Sequence, residues 1–418
     1  MKTYCKPASV NIESWEYNKP AVIECFRNKR GRRDFQQLLC KTGVITRREL
    51  AEDRLTGNME RTLLAERELS KMLTNRIIER DLKLKPIRKF QRVDGLTQKL
   101  RDICQESPEQ QVFEYIAVFA LKPLFRAKIL PIQYGSIPGK GGVAGKRKIE
   151  RLLRRKFHGK VVAVKGDITK AYPSVMVDIV MEMLRRDIGK NIVLLWFIGA
   201  LMANYPEGHL CIGGYLPAWL FNYIMSYVLR YIYEQAQIRR GKRNRLVYAV
   251  VCYADDYTIY GDISKLRKAM KKATIWAYDK FGLKIKNIWQ FYHVESFEKE
   301  KENHKERMAG SKKRTPGVDM MGYVIRRRYT IIRGRVFRRI RRQTLRAWDD
   351  FRTLGYVPWW RACRIAAYKG WVTHSNSEKF KEKYKFNELF KMCSKSASKH
   401  GKEVEHEKRI LLIAAASG

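Results

Sequence analysis

At 418 residues and 45% hydrophobic content, the chain is long enough to fold around two or three substructures with a sizeable core. Its 86 Lys and Arg against 42 Asp and Glu give a formal charge of +44, which excludes a charge-balanced surface and points to a phosphate-rich partner. The longest apolar run, Ile192 to Ala203, is too short for a bilayer and MKTYCKPASV has no apolar core, so neither a membrane nor a secretory signal is expected, and the expected compartment is the cytoplasm.

Taken in chain order, Thr46-Arg47-Arg48-Glu49 has capping-box spacing, and the apolar residues from Leu55 to Ile77 predict one or two amphipathic helices up to about Leu84. Residues 96 to 129 also read as helical. QYGSIPGKGG then breaks the pattern as a loop, and GKRKIERLLRRKF resumes a helix. KVVAV, 160 to 164, reads as a buried strand running into GDITKAYPSV. Helices are expected from Val175 to Ile188 and over 192 to 204, followed by a glycine turn into a long aromatic-rich helix. VYAVVCY, a turn at ADD and YTIYG read as strand, turn and strand. A helix from Ser264 to Phe281 and a strand over GLKIKNIWQFY complete an α+β unit. Residues 297 to 316 read as a charged loop, and 326 to 418 as basic and mostly helical.

The eight cysteines form no CxxC pair and the seven histidines no HExxH or HxxxH, so neither a zinc site nor a disulfide frame is expected. Any catalytic metal would be held by carboxylates, which suits Mg²⁺. Asp255 and Asp256 stand side by side in an apolar, β-branched run, where adjacent like charges call for a raised pKa or a cation between them. Asp167 closes the strand at 160 to 164. If that strand and the hairpin share a sheet, the three carboxylates meet at one edge, as two-metal phosphoryl transfer requires. Asp167 and Asp255 are then the principal ligands and Asp256 a supporting one. An Asp-Asp in a hairpin turn is by itself ordinary turn chemistry.

From Ile325 to Arg346 there are ten arginines and no acid. Arginine interleaved with Tyr329, Ile331, Val336, Phe337 and Ile340 is expected to contact phosphates around an apolar core, through Arg326, Arg327, Arg328, Arg335, Arg338, Arg339 and Arg342. Trp359, Trp360 and Trp371 are expected to anchor the core of this segment, with base stacking as the competing reading.

DITKAYPS (167 to 174), IGGYLPAWLFN (212 to 222), YADD (253 to 256), GLKIKN (282 to 287) and VDMMGYVI (318 to 325) resemble, in order, palm motifs A to E of reverse transcriptases. SIPGKG (136 to 141) and AAYKGWVTHSNS (366 to 377) look like the fingers loop and thumb segment of the bacterial branch that includes diversity-generating and defence-associated "unknown group" enzymes and is related to retron enzymes, although VTH stands at 372 to 374 in place of the retron-type VTG. The resemblance implies a right-hand polymerase fold with helical fingers, a ferredoxin-like palm sheet and a helical thumb. Its expected divisions are an N-terminal helical extension (1–95), fingers (96–160), palm (161–325) and a basic helical thumb and tail (326–418). It implies RNA-directed DNA synthesis from dNTPs with two Mg²⁺ ions, Mn²⁺ being a substitute, at Asp167, Asp255 and Asp256. Tyr172 matches the steric gate that excludes a 2′-hydroxyl, with a packed core tyrosine as the alternative. Gly213 and Gly214 would let backbone lie against the incoming base pair. Lys140, with Lys146 and Arg147, would meet the triphosphate or template backbone, unless the loop is merely solvated. Lys284 or Lys286 stands where the family often has a lysine that protonates pyrophosphate.

The branch usually reads IGxxxSQxxAN, where this chain has Pro217-Ala218 and Phe221, keeping Ile212, Gly213 and Asn222. The implied partners are a structured noncoding RNA and a DNA product, with homo-oligomerisation left open and anti-phage defence as the role by analogy. Template-independent or protein-primed DNA synthesis, a diversity-generating retroelement enzyme, and a nonenzymatic, maturase-like RNA-binding protein are the alternatives.

Overall fold

A computed structural model describes residues 3–93, 100–309 and 316–414. Four helices open the chain: α1 (Trp15–Phe26), α2 (Arg33–Cys40), α3 (Arg47–Thr56) and α4 (Glu60–Ile78). A hairpin of β1 (Arg88–Val93) and β2 (Leu100–Gln105) leads into α5 (Pro108–Ala120) and α6 (Lys122–Lys128). Then come α7 (Gly142–Arg151), a π-helical turn (Leu152–Lys156), β3 (Val161–Gly166), α8 (Val177–Ile188), α9 (Ile192–Ala203) and α10 (Tyr215–Glu234). Two hairpins follow, β4 (Ala236–Arg239) with β5 (Lys242–Arg245) and β6 (Ala249–Tyr253) with β7 (Asp256–Gly261). The chain continues through α11 (Ile263–Phe281), β8 (Gln290–Val294), α12 (Phe297–Met308), β9 (Val318–Met320), β10 (Tyr323–Ile325) and β11 (Thr330–Ile332). It ends in α13 (Gly334–Leu354), α14 (Trp359–Thr373), α15 (Glu378–Lys383) and α16 (Phe386–Ala414). The class is α+β, as expected. Among the described residues no helix is long and apolar enough to cross a membrane.

The chain divides into two compact units. The first comprises 1–139, 166–259 and 263–289, and the second 140–165, 260–262 and 290–418. β6 and residues 256–259 of β7 belong to the first unit; β3, apart from Gly166, and β8 belong to the second.

In the first unit α5 is the central element. Ser107 caps it by accepting the Gln110 N–H, and Pro108 takes the first turn, where no N–H partner is needed. Val112, Phe113, Ile116 and Ala117 have no exposed surface, because α1, α2, α9 and α10 pack around them. The N-terminal helices therefore belong to this core. Thr46 and Glu49 form the expected capping box of α3. Glu66, buried in α4, receives Arg30 through two bonds of 2.7 and 2.9 Å, so its charge is paired.

In the second unit β3 pairs antiparallel with β8, from Val161↔Val294 to Lys165↔Gln290. β9, β10 and β11 form a small antiparallel sheet in the order β11-β10-β9. One face of α13, carrying Ile340 and Ala347, closes with Ile365 and Val372 of α14 and Leu389 and Cys393 of α16 into an apolar core.

Three local expectations differ from the structure, and one hairpin had no expectation. Residues 100–105, read as helix, are strand β2; residues 94–99 of the same reading lie outside the described residues. All of β1 is exposed, so no apolar alternation marks this hairpin in the sequence. Residues 297–308, read as loop, form α12, with Glu298 and Glu300 at the dipole-favoured end and a Lys299–Glu302 pair at 2.9 Å. Residues 310–315 of that reading lie outside the described residues. The strand expected over 282 to 292 is a bridge at Ile285 followed by β8. Finally, β4 and β5 turn at Arg240-Gly241, both with positive φ, in a stretch read as nothing in particular.

Candidate active site

The hairpin β6–β7 turns through Ala254 and Asp255, and Asp256 opens β7. Ala254 has φ of 55°, a left-handed conformation that an L-residue holds only when its surroundings impose it. Those surroundings are the segment 132–135, which lies along β6. Cys252 N–H donates to Ile132 O at 3.0 Å and Tyr134 N–H to Cys252 O at 2.9 Å. A β-carbon on Gly135 would collide with the Ala254 backbone. The segment is itself fastened to α10, since Asn222 donates to Gly135 O at 3.0 Å and Gln133 donates to Asn222 O at 2.8 Å. Thus Asn222 bears on the aspartate turn through two hydrogen bonds.

Asp255 is brought into the field of both other aspartates. Burial first, and then the charges of Asp256 and Asp167, hold its carboxyl above the usual carboxylate range, while its own backbone amide and Arg101 oppose them. Asp167 follows Gly166, whose place admits no side chain because the Tyr257 ring of β7 fills it. The next residues run against 284–286. Lys286 N–H donates to Asp167 O and Thr169 N–H to Lys284 O, both at 2.9 Å, with a bridge between Ile168 and Ile285. This register puts the Lys286 ammonium on the Asp167 carboxylate. That bond raises the lysine's pKa. Lys284 instead lies over the Tyr278 ring, 5.8 Å from its centroid. Of the two lysines singled out in the sequence, only Lys286 joins the aspartates.

Arg101, on β2, was missed by sequence reasoning. Its positive charge favours ionised Asp255. The signal was slight, a lone basic residue in LRDICQ, in an exposed hairpin that reads as helix.

Tyr172 stacks on Phe221 of α10, with centroids 4.7 Å apart and planes at 24°. Burial, and then the Asp255 charge, push the phenol up to about 12 against a hydrogen bond from Ser136. Phe221 has no exposed surface. A cavity left by Phe221→Ala is expected to cost about 3–5 kcal/mol, read as a lower thermal midpoint. If Tyr172 is a sugar gate, the freed ring should also raise ribonucleotide use relative to deoxynucleotide, on the order of tenfold in paired incorporation assays. Gly213 has φ of 120° and stands where a β-carbon would come within 2.6 Å of Cys104 O, so this turn demands glycine.

Lys140, Lys146 and Arg147 belong to the second unit. Lys140 is partly buried, which lowers its pKa. Lys146 departs from the expected phosphate-facing role: it is buried, 2.9 Å from Glu150 and over the Tyr323 ring. Two of the arginines expected at phosphates do likewise. Arg327 is 1% exposed and donates to the carbonyls of Leu153, Gly159 and Glu295. Arg326 is buried over Tyr329. Arg327 serves the protein's own packing, because a guanidinium with five donors can satisfy several backbone carbonyls at once. Arg339 is half-buried, whereas Arg328, Arg335, Arg338 and Arg342 are exposed. A hollow of about 320 Å³ lined by Arg147, Glu150, Arg151, Arg154 and Arg155 adds cations that the sequence reading did not single out. Trp371 packs against Tyr323 as a core anchor, but Trp359 and Trp360 are 50% and 42% exposed.

Among the described residues no group of three or more His, Cys, Asp or Glu side chains could hold a metal by itself. No family model matches the sequence, and no curated protein matches it.

Proposed function

We propose that the chain is an RNA-directed DNA polymerase. The observation that carries this reading is the convergence of Asp167, Asp255 and Lys286, with Asp255 held above the carboxylate range by burial and then by its like-charged neighbours. The order of the five motifs supports it. Mg²⁺ is commonly held by one or two carboxylates and completed by substrate phosphates and water. Asp167 and Asp255, with Asp256 in support, suit such an ion and do not suit one held by protein ligands alone.

Mg²⁺ would act as a Lewis acid toward a primer 3′-hydroxyl and the departing pyrophosphate. Asp255, desolvated among negative charges, is a group whose ionised form is favoured by a cation beside it. Tyr172, backed by Phe221, would bound the sugar. Lys286 would neutralise Asp167 and hold a proton near the leaving group. A partner RNA and a defence role rest on the family likeness alone.

The exposed arginines Arg335, Arg338 and Arg342 of α13 would bind phosphates without reading sequence. Changing all three to glutamine is expected to weaken RNA binding and flatten the dependence of log affinity on log salt by roughly two to three units, measured by filter binding across salt concentrations.

Template-independent or protein-primed synthesis is a second reading. It is favoured by Pro217 and Ala218 in the first turn of α10, where neither side chain can make the hydrogen bonds of Ser-Gln. Incorporation of labelled dNTPs with Mg²⁺ tests for polymerase activity, and sequencing the product separates copying from untemplated addition. No incorporation with co-purified RNA present would favour a nonenzymatic RNA-binding protein.

A further inference from the structure

Against the Gly213-Gly214 turn lie two carboxyl groups that this chemistry does not use. Glu114, in α5, has no exposed surface, and Glu106, just past β2, has 5%. Glu114 Oε2 accepts the backbone N–H groups of Tyr215 and Leu216, both at 2.9 Å, and Oε1 accepts the Tyr205 hydroxyl at 2.9 Å. Tyr215 and Leu216 open α10, whose cap, Gly214, has no side chain to offer. Glu114 therefore caps α10 from another helix, placing negative charge at the positive end of the dipole. Glu106 lies in the field of Glu114, and its Oε1 lies against Gly214, where a β-carbon would collide with it. On the other side, Cys104 N–H donates to Ile212 O at 2.8 Å, tying the turn to the strand that carries Arg101.

Resting on the polymerase reading, we propose that Glu106 and Glu114 are positioning residues for the nucleotide site: Glu114 holds the first amides of α10, and Glu106 bears on Gly214.

The groups facing Glu106 are Glu114, Lys29, Cys104, Cys211 and Tyr205. Lys29 is the cation among them. Burial first, and then the Glu114 charge, push Glu106 up to about 9. Burial also raises Glu114, against the hydrogen bonds it accepts. Two adjacent desolvated carboxylates do not ionise together readily, so the pair keeps a proton at neutral pH. Above the pKa of Glu106 the two anions repel and the turn loosens. The sign for stability follows: a carboxyl raised from 4.5 to about 9 binds its proton more tightly when folded, so its stabilising contribution is full below 4.5 and declines as pH climbs to about 9.

The test compares wild type, Glu106→Gln, Glu114→Gln and Glu114→Ala in the full chain. In wild type the nucleotide KM should rise on an alkaline limb near the Glu106 pKa, and Glu106→Gln should remove that limb. Glu114→Ala should raise KM about tenfold and speed amide exchange at Tyr215 and Leu216, with Glu114→Gln, which keeps an acceptor oxygen, restoring most of both. Infrared spectroscopy should detect a neutral carboxylic acid at pH 7 that Glu106→Gln removes. An alkaline limb that survives Glu106→Gln, unchanged amide exchange in Glu114→Ala, or absence of the acid band overturns the proposal. If wild type incorporates no nucleotide at any pH, the polymerase reading falls; the band and the exchange data still judge the pair as the clamp on this turn.

Discussion

Replacing Asp255 and Asp256 together by alanine is expected to abolish deoxynucleotide incorporation, by at least about 10³-fold, because the metal's several kcal/mol of charge stabilisation is lost with its ligands. RNA binding should survive, since the exposed arginines expected to contact phosphate lie on other elements. The thermal midpoint should hold or rise. Asp255 carries an unfavourable burden of burial and like charge, which alanine relieves. Primer extension, filter binding and thermal denaturation of one preparation read all three effects. Incorporation that persists in the double variant would sink the assignment of the aspartates, whereas joint loss of binding and folding would mark them as structural.

Lys286→Ala is expected to lower kcat by about 10²–10⁴-fold, the range for a positioned proton donor, with a smaller effect on KM. Lys284→Ala, removing a lysine that lies over Tyr278, should change the rate about fivefold or less. Lys286→Arg separates charge from acidity: it can still neutralise Asp167 but holds its proton too tightly to give it up near neutral pH, so binding should recover more than rate. Single-turnover incorporation with the three variants distinguishes these outcomes. Equal losses in Lys284→Ala and Lys286→Ala would remove Lys286 from its proposed role.

The contrast between the two lysines shows what sequence could not decide. They are two residues apart in GLKIKN and equally basic, and composition treats them alike. The pairing of 284–286 against 167–169 separates them, because it sets Lys286 N–H opposite Asp167 O. The arginines of 326–342 sort in the same way. Arg327 is enclosed by Leu153, Gly159 and Glu295, whereas Arg335, Arg338 and Arg342 remain exposed. A run of like residues carries no mark of which will meet a carbonyl from more than a hundred residues away in the chain. Arg101 was hidden for another reason. Its hairpin buries almost nothing on either face, so the hydrophobic period that reveals a strand is missing.

What the sequence determined by itself was whatever depends on neighbours within a few residues. The strands around YADD were legible from their β-branched, apolar run, the helices at 192 and 215 from their length and aromatic content, and the start of α3 from Thr46 and Glu49. Tertiary structure alone decided which side chains share a field. Asp255 feels Asp167, Phe221 fills the space beneath Tyr172, and Glu114 caps a helix that begins about a hundred positions later. The reason is physical: helix and strand preference is set by local backbone sterics and hydrophobic period, whereas burial, charge coupling and hydrogen-bond closure depend on distances that only the folded chain creates.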